Sequence, residues 1–228
     1  MSTSATTDRG AGDDGAASRA AAALLVVGAA GLFAFIARGV ATRRSQRLDE
    51  RARAWTQARR TAGVDVAVKP VTLLSLPLLV MSATAALVWW LHRDGREAAA
   101  RTIALTPLVA GVAGQSFTTF LAQRNPPDVG ESPTGEVTEA SFPSGHTTGV
   151  TAEALAIAYV LQQEGLSTTP VAAALIAWPL LVGVTRVYRD RHWLSDILAG
   201  WTAGIGVAAA AALLYRLTAT RTLERTLP

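Results

Sequence analysis

The chain has 228 residues, half of them hydrophobic, with 17 % charged residues, 6 % aromatics and no cysteine. Soluble domains carry about a quarter charged residues, and a mean hydropathy of +0.28 argues against an ordinary soluble surface. Without cysteine there is no disulfide framework, thiolate nucleophile or zinc–thiolate site, and three histidines are too few for a large histidine metal cluster.

Residues 1–18 hold Ser, Thr, Gly, Ala and Asp with nothing large to bury, the pattern of a disordered tail. Ala20–Ala37 is an uncharged run at the short end of what crosses a bilayer. The linker 42–69 is strongly basic, with Arg43, Arg44, Arg47, Arg51, Arg53, Arg59, Arg60 and Lys69 set among Leu48, Trp55 and Val64. It reads as a partly amphipathic interfacial helix with its arginines near lipid phosphates. Because this stretch supplies much of the net charge of +4, nucleic acid is not an expected partner.

A second uncharged block, Pro70–Leu91, ends in Trp89 and Trp90, which suit the membrane interface. Further blocks follow at Thr102–Gln123, Thr147–Gln163 (interrupted by Glu153), Leu166–Thr185 and Ile197–Tyr215. A 20-residue helix spans about 30 Å, the thickness of a hydrocarbon core. The expected fold is therefore all-α, a polytopic membrane protein with six transmembrane helices over residues 19–216 and a short C-terminal tail, 217–228. Gly200 and Gly204 form a GxxxG step suited to close helix packing.

Two polar segments at helix boundaries stand apart. In Pro143-Ser144-Gly145-His146, Ser144 and Gly145 lie where a helix starts, so free amides can face an anion. Gly145 lets a phosphate approach the backbone, and His146 stands ready to protonate a leaving oxygen. In the second segment, 185–196, His192 and Asp196 are four apart and can face each other, the carboxylate fixing the imidazole tautomer. Arg186 offers a fork of donors for phosphate oxygens. A histidine nucleophile, a histidine acid and an anion clamp describe a phosphoryl-transfer site.

These residues resemble the type 2 phosphatidic acid phosphatase superfamily, membrane lipid phosphatases that share a catalytic core with acid phosphatases and vanadium haloperoxidases. Its second signature is matched by Pro143, Ser144, Gly145 and His146. Its third, Ser-Arg-x5-His-x3-Asp, is matched by Arg186, His192 and Asp196, with Thr185 in the serine position. The resemblance implies a helical bundle of that superfamily's type, no metal and no cofactor, and a phosphohistidine formed on His192 and oriented by Asp196. His146 would protonate the leaving group, and Arg186 with Ser144 and Gly145 would hold the phosphoryl oxygens. The first signature, Lys-x6-Arg-Pro, is degenerate here. Arg124 is its one cation, and the lysine position falls on Thr118 or Thr119. Arg189 or Arg191 could supply the missing donor, and Glu153, seven residues after His146, could anchor the site from below or serve as structural glue.

The implied partner is a membrane lipid with a phosphate or diphosphate head group, a polyprenyl diphosphate first, with phosphatidic acid and phosphatidylglycerol phosphate as alternatives. Transfer of the phosphoryl group to an acceptor other than water, or lipid binding by a catalytically impaired site, are the other readings. The positive-inside rule puts the basic side in the cytoplasm, whereas bacterial relatives acting on a recycled carrier place the site outside. The expected location is the cell membrane, with the active site on its outer face.

Overall fold

The computed structural model describes residues 7–120, 124–129, 137 and 139–226, with side chains over 16–117, 124–129, 137 and 139–219. Eight helices run in chain order: α1 (Thr7–Ala41), α2 (Gln46–Gln57), α3 (Ala62–Leu74), α4 (Pro77–Arg93), α5 (Glu97–Phe120), α6 (Gly145–Gln163), α7 (Thr169–Tyr188) and α8 (Leu194–Thr226). No β-strand occurs among the described residues. α1 begins inside the segment expected to be a disordered tail, and the basic linker forms α2 and α3.

Local chemistry sets several boundaries. Thr61 caps α3 by accepting a hydrogen bond from the Val64 amide at 3.3 Å. Pro77 opens α4, where its missing N–H costs nothing. α6 is followed, after its C-cap Glu164, by Gly165, whose φ of +68° is cheap for glycine and turns the chain out of the helix.

The expected six spans are not what the chain folds into. Among the described residues, three helical stretches are long and apolar enough to cross a membrane: Ala16–Ala41, Thr169–Tyr188 and Leu194–Ala219. A fourth is formed only if α3 and α4, bent by 48° at their break, count as one broken span. The uncharged block Pro70–Leu91 is thus two helices, with Ser75 and Leu76 at the corner. The blocks in α5 and α6 fall short for a different reason: an uncharged run is not the same as an apolar one, and Thr, Gly and Gln dilute both helices. α6 carries Thr147, Thr148, Thr151 and Glu153, all buried inside the bundle, and α5 buries Thr102 and Thr106. Large apolar side chains instead face outward on the rim, including Leu24 (72 % exposed), Phe35 (75 %) and Leu78 (77 %). A contiguous apolar exterior of this kind needs lipid rather than water around it, and the protein is a multi-pass membrane protein.

α8 is the hub, packing most extensively on α6 and α1. The GxxxG step is the seam with α6. A Cβ at Gly200 would lie 2.9 Å from Thr147 Cβ, and one at Gly204 would lie 2.5 Å from Thr151 Cβ and 2.8 Å from the Thr148 carbonyl oxygen. This close approach brings the start of α8 against the start of α6, where both polar segments lie.

Candidate active site

The site grows from the N-terminal end of α6. Ser144, fully buried, caps that helix by accepting from the Thr147 amide at 3.3 Å. Its own amide donates to the Asp196 carbonyl oxygen at 3.2 Å, stitching the two polar segments together through the backbone. Gly145 is exposed, and a Cβ built on it would meet nothing within 4 Å, so the space in front of it is open.

His192 sits in the turn before α8. Its Nδ1 is 3.1 Å from the Ser141 carbonyl oxygen and 3.6 Å from Asp196 Oδ2. A carbonyl only accepts, so this nitrogen carries the proton, and Nε2 keeps its lone pair. Asp196 is completely buried and held on several sides. Its Oδ2 accepts from the Trp193 amide at 2.9 Å, and its Oδ1 accepts from Arg124 Nη2 at 2.6 Å and Nε at 3.1 Å.

Arg124 is therefore turned toward carboxylates. Its Nη1 donates to Asp49 Oδ2 at 2.9 Å, and Nη2 also reaches Ser195 Oγ at 2.6 Å. Asp49, 1 % exposed, further accepts from the Ser195 amide at 2.8 Å and from Ser195 Oγ at 2.7 Å. Sequence reasoning missed Asp49 and Ser195. The only signal for Asp49 was an acid inside the basic run of α2. The segment after α5 is fastened as well: Ser141 N donates to Arg124 O at 2.9 Å, and Trp193 Nε1 to Asn125 O at 2.9 Å.

His146 stands on the first turn of α6 with Nε2 2.9 Å from the Ser75 carbonyl oxygen at the α3–α4 corner. Burial, and after it the positive charge of Arg186, push its pKa down to about 4, with a smaller contribution from His192 and partial opposition from the Ser75 carbonyl. It is neutral at pH 7 while the site is empty. Arg186, on the last turn of α7, has a buried Nε with no hydrogen-bond partner among the described residues. Thr185 turns its hydroxyl back on the Val182 carbonyl oxygen at 2.7 Å.

Two of the other expected participants have partners of their own. Arg191 pairs with Asp128 at 2.6 Å, and exposed Arg189 reaches Thr72 Oγ1 at 3.5 Å. The side chains of Thr118 and Thr119 lie outside the described residues. Glu153 is 6 % exposed, and among the described residues it has no arginine partner and its Oε1 no hydrogen bond. Two arginines of the basic stretch also have protein partners: Arg53 at 3.2 Å and Arg60 at 3.3 Å both pair with Asp190, which Gln57 contacts too.

The described residues thus place a carboxylate-paired histidine, a second histidine and an arginine with an unpartnered nitrogen in one all-α membrane bundle. The PAP2 superfamily pattern matches residues 99–221, more than half of the chain, and the chain belongs to that superfamily as a membrane-associated lipid phosphatase. The phosphatidylglycerolphosphate phosphatase of Bacillus subtilis, described as the first transmembrane PAP2-type enzyme of that kind, has a similar structure. Its TM-score is 0.68 at 19 % identity, over 89 % of this chain and 97 % of that one. Aquifex aeolicus LpxE is similar at a TM-score of 0.55 and 21 % identity, over 72 % of this chain and 94 % of that one. At these identities the likeness is one of fold. No curated protein matches the chain.

Proposed function

We propose that the protein hydrolyses a lipid phosphate or diphosphate through a phosphohistidine on His192, without a metal. The observation that carries this reading is the meeting of the His192–Asp196 pair with His146 and the unsatisfied Arg186 guanidinium. The substrate phosphoryl group sits before the α6 N-terminus, against the Gly145 region and Arg186, where amides and guanidinium stabilise its oxygens. His192 Nε2 attacks phosphorus, forming a P–N bond as the P–O bond to the lipid breaks. Asp196 and the Ser141 carbonyl hold the Nδ1 proton as the ring becomes cationic. His146, once protonated, gives its proton to the leaving oxygen. Water then attacks the phosphohistidine, His146 takes the proton of that water, and phosphate leaves with the P–N bond broken.

Arg124 acts here as a positioning residue for Asp196. Its donors are engaged by Asp49, Ser195 and Asp196. Polyprenyl diphosphate, phosphatidic acid and phosphatidylglycerol phosphate all satisfy this chemistry. The test is phosphate release from purified full-length protein in detergent with chelator present, each lipid being offered to wild type and His192→Ala. The reading expects release that disappears in the variant; equal release by both proteins would overturn it.

The site is proposed to open on the outer face of the membrane. Since the chain has no cysteine, a single Arg189→Cys variant should react with an impermeant thiol reagent in intact cells. Labelling only after lysis would reverse the orientation.

A further inference from the structure

A cavity of about 340 Å³ opens beside His146, running between the α3–α4 corner, α5 and α6. Its walls are mostly apolar, with Val80, Met81, Pro107, Ala110 and Val150 among them. Glycines leave much of the rest to backbone: a Cβ at Gly111, Gly114, Gly145 or Gly149 would meet nothing within 4 Å. Glu153 is part of this lining.

A buried carboxyl without a partner is unfavourable, its desolvation left uncompensated by a hydrogen bond. Glu153 is more than nine-tenths buried, and its Oε1 has no partner among the described residues. A polar group in that condition, facing a cavity, is free to receive a hydrogen bond from whatever fills it. Seven residues along a helix correspond to about 10 Å of rise, and the two side chains share a face, so Glu153 lies about that far from His146. His146 is where the leaving lipid alcohol would be released, so the cavity lies where the apolar portion of that alcohol must go.

We propose that this cavity holds the lipid portion of the substrate and that Glu153 selects lipids carrying a hydrogen-bond donor, a hydroxyl or an amide N–H, about 10 Å from the scissile phosphorus. The inference rests on the lipid phosphatase reading and narrows it. It favours a functionalised acyl lipid over a plain polyprenyl chain, because an isoprenoid tail has no donor to offer the carboxyl. Glu153 would be a specificity determinant and takes no part in bond making or breaking.

Two phosphatidic acids test it, alike except that one bears a hydroxyl on the third carbon of its sn-2 acyl chain, at a comparable reach from the phosphorus. Wild type is expected to show about tenfold higher kcat/KM for the hydroxylated lipid, the effect of one good hydrogen bond to a charged or buried group. Glu153→Leu should bring the ratio to about one, and Glu153→Gln, which keeps both size and hydrogen-bonding capacity, should retain part of it. A wild-type ratio near one, or a ratio unchanged in Glu153→Leu, would overturn the proposal. Relative affinity of the two lipids for His192→Ala is measured in parallel, because binding needs no chemistry. Preference in binding without hydrolysis by wild type would sink the phosphatase reading and leave the cavity assignment standing. Hydrolysis without preference would do the reverse.

Discussion

Arg124 and Arg186 both belong to the candidate site and behave in opposite ways. Arg124 is saturated: its three nitrogens reach Asp49, Ser195 and Asp196, and both carboxylates are at most 1 % exposed. Arg186 keeps a buried Nε without a partner among the described residues, and its charge is felt at His146. The Arg124 side is a frame whose polar groups satisfy one another. The Arg186 side, with Glu153 in the cavity near His146, has polar groups left without a partner among the described residues. Saturation therefore separates the residues that hold the site from those that meet substrate, where residue type alone would have assigned both arginines to phosphate.

The largest expected effect lies on the reactive side. His192→Ala should lower turnover by about 10⁴-fold or more, as loss of a nucleophile does, with little change in melting temperature. Next comes the arginine pair, which breaks the comparison if it is wrong. Arg186→Gln should cost about 10²–10³ in kcat/KM, the loss of one preorganised oxyanion donor, while the protein remains as stable as wild type. Arg124→Gln strands two buried carboxylates and should destabilise by roughly 3–5 kcal/mol, read as an earlier thermal transition in detergent. If Arg124→Gln melted like wild type and lost only activity, the division into frame and reactive side would fail. Gly204→Ala should cost about 1–3 kcal/mol by forcing α8 away from Thr151 and the Thr148 carbonyl. A wild-type melting temperature in that variant would mean the seam is looser than its geometry.

The smallest effect is a titration. Burial and the Arg186 charge disfavour the imidazolium of His146, so nitrogen NMR of the empty protein should place its midpoint near pH 4, below the ordinary 6.5. Bound inorganic phosphate adds negative charge and should raise that midpoint, favouring the protonated form that donates. A midpoint that phosphate does not move would separate His146 from the anion site.

Sequence and structure agree best where chemistry is local. The capping of α6 by Ser144 and the four-residue spacing of His192 and Asp196 depend on neighbours in the chain, so both were readable as patterns. The Gly200–Gly204 step was a weak signal in a glycine-rich chain, and only the facing Thr147 and Thr151 gave it a function. What could not be read depends on distant partners. Asp49 meets Ser195 across 146 positions, and nothing in α2 announces that contact. Counting uncharged runs gave six spans because Thr and Gly carry no charge, yet in α6 they line a helix buried in protein. Glu153 stands out in the sequence as an acid inside an apolar block, but the cavity that gives it meaning is lined largely by α4 and α5, which come from elsewhere in the chain.

The most direct test of the central claim is to trap the phosphoryl group on the protein. Full-length enzyme mixed with a lipid phosphate is quenched within milliseconds into base, where a phosphohistidine survives, and digested for mass spectrometry. The account predicts a phosphoryl group on His192 alone, absent in His192→Ala and accumulating in His146→Ala if dephosphorylation needs that base. Phosphate release from wild type with His192 unmodified at every time point, or with the label on another residue, would contradict it.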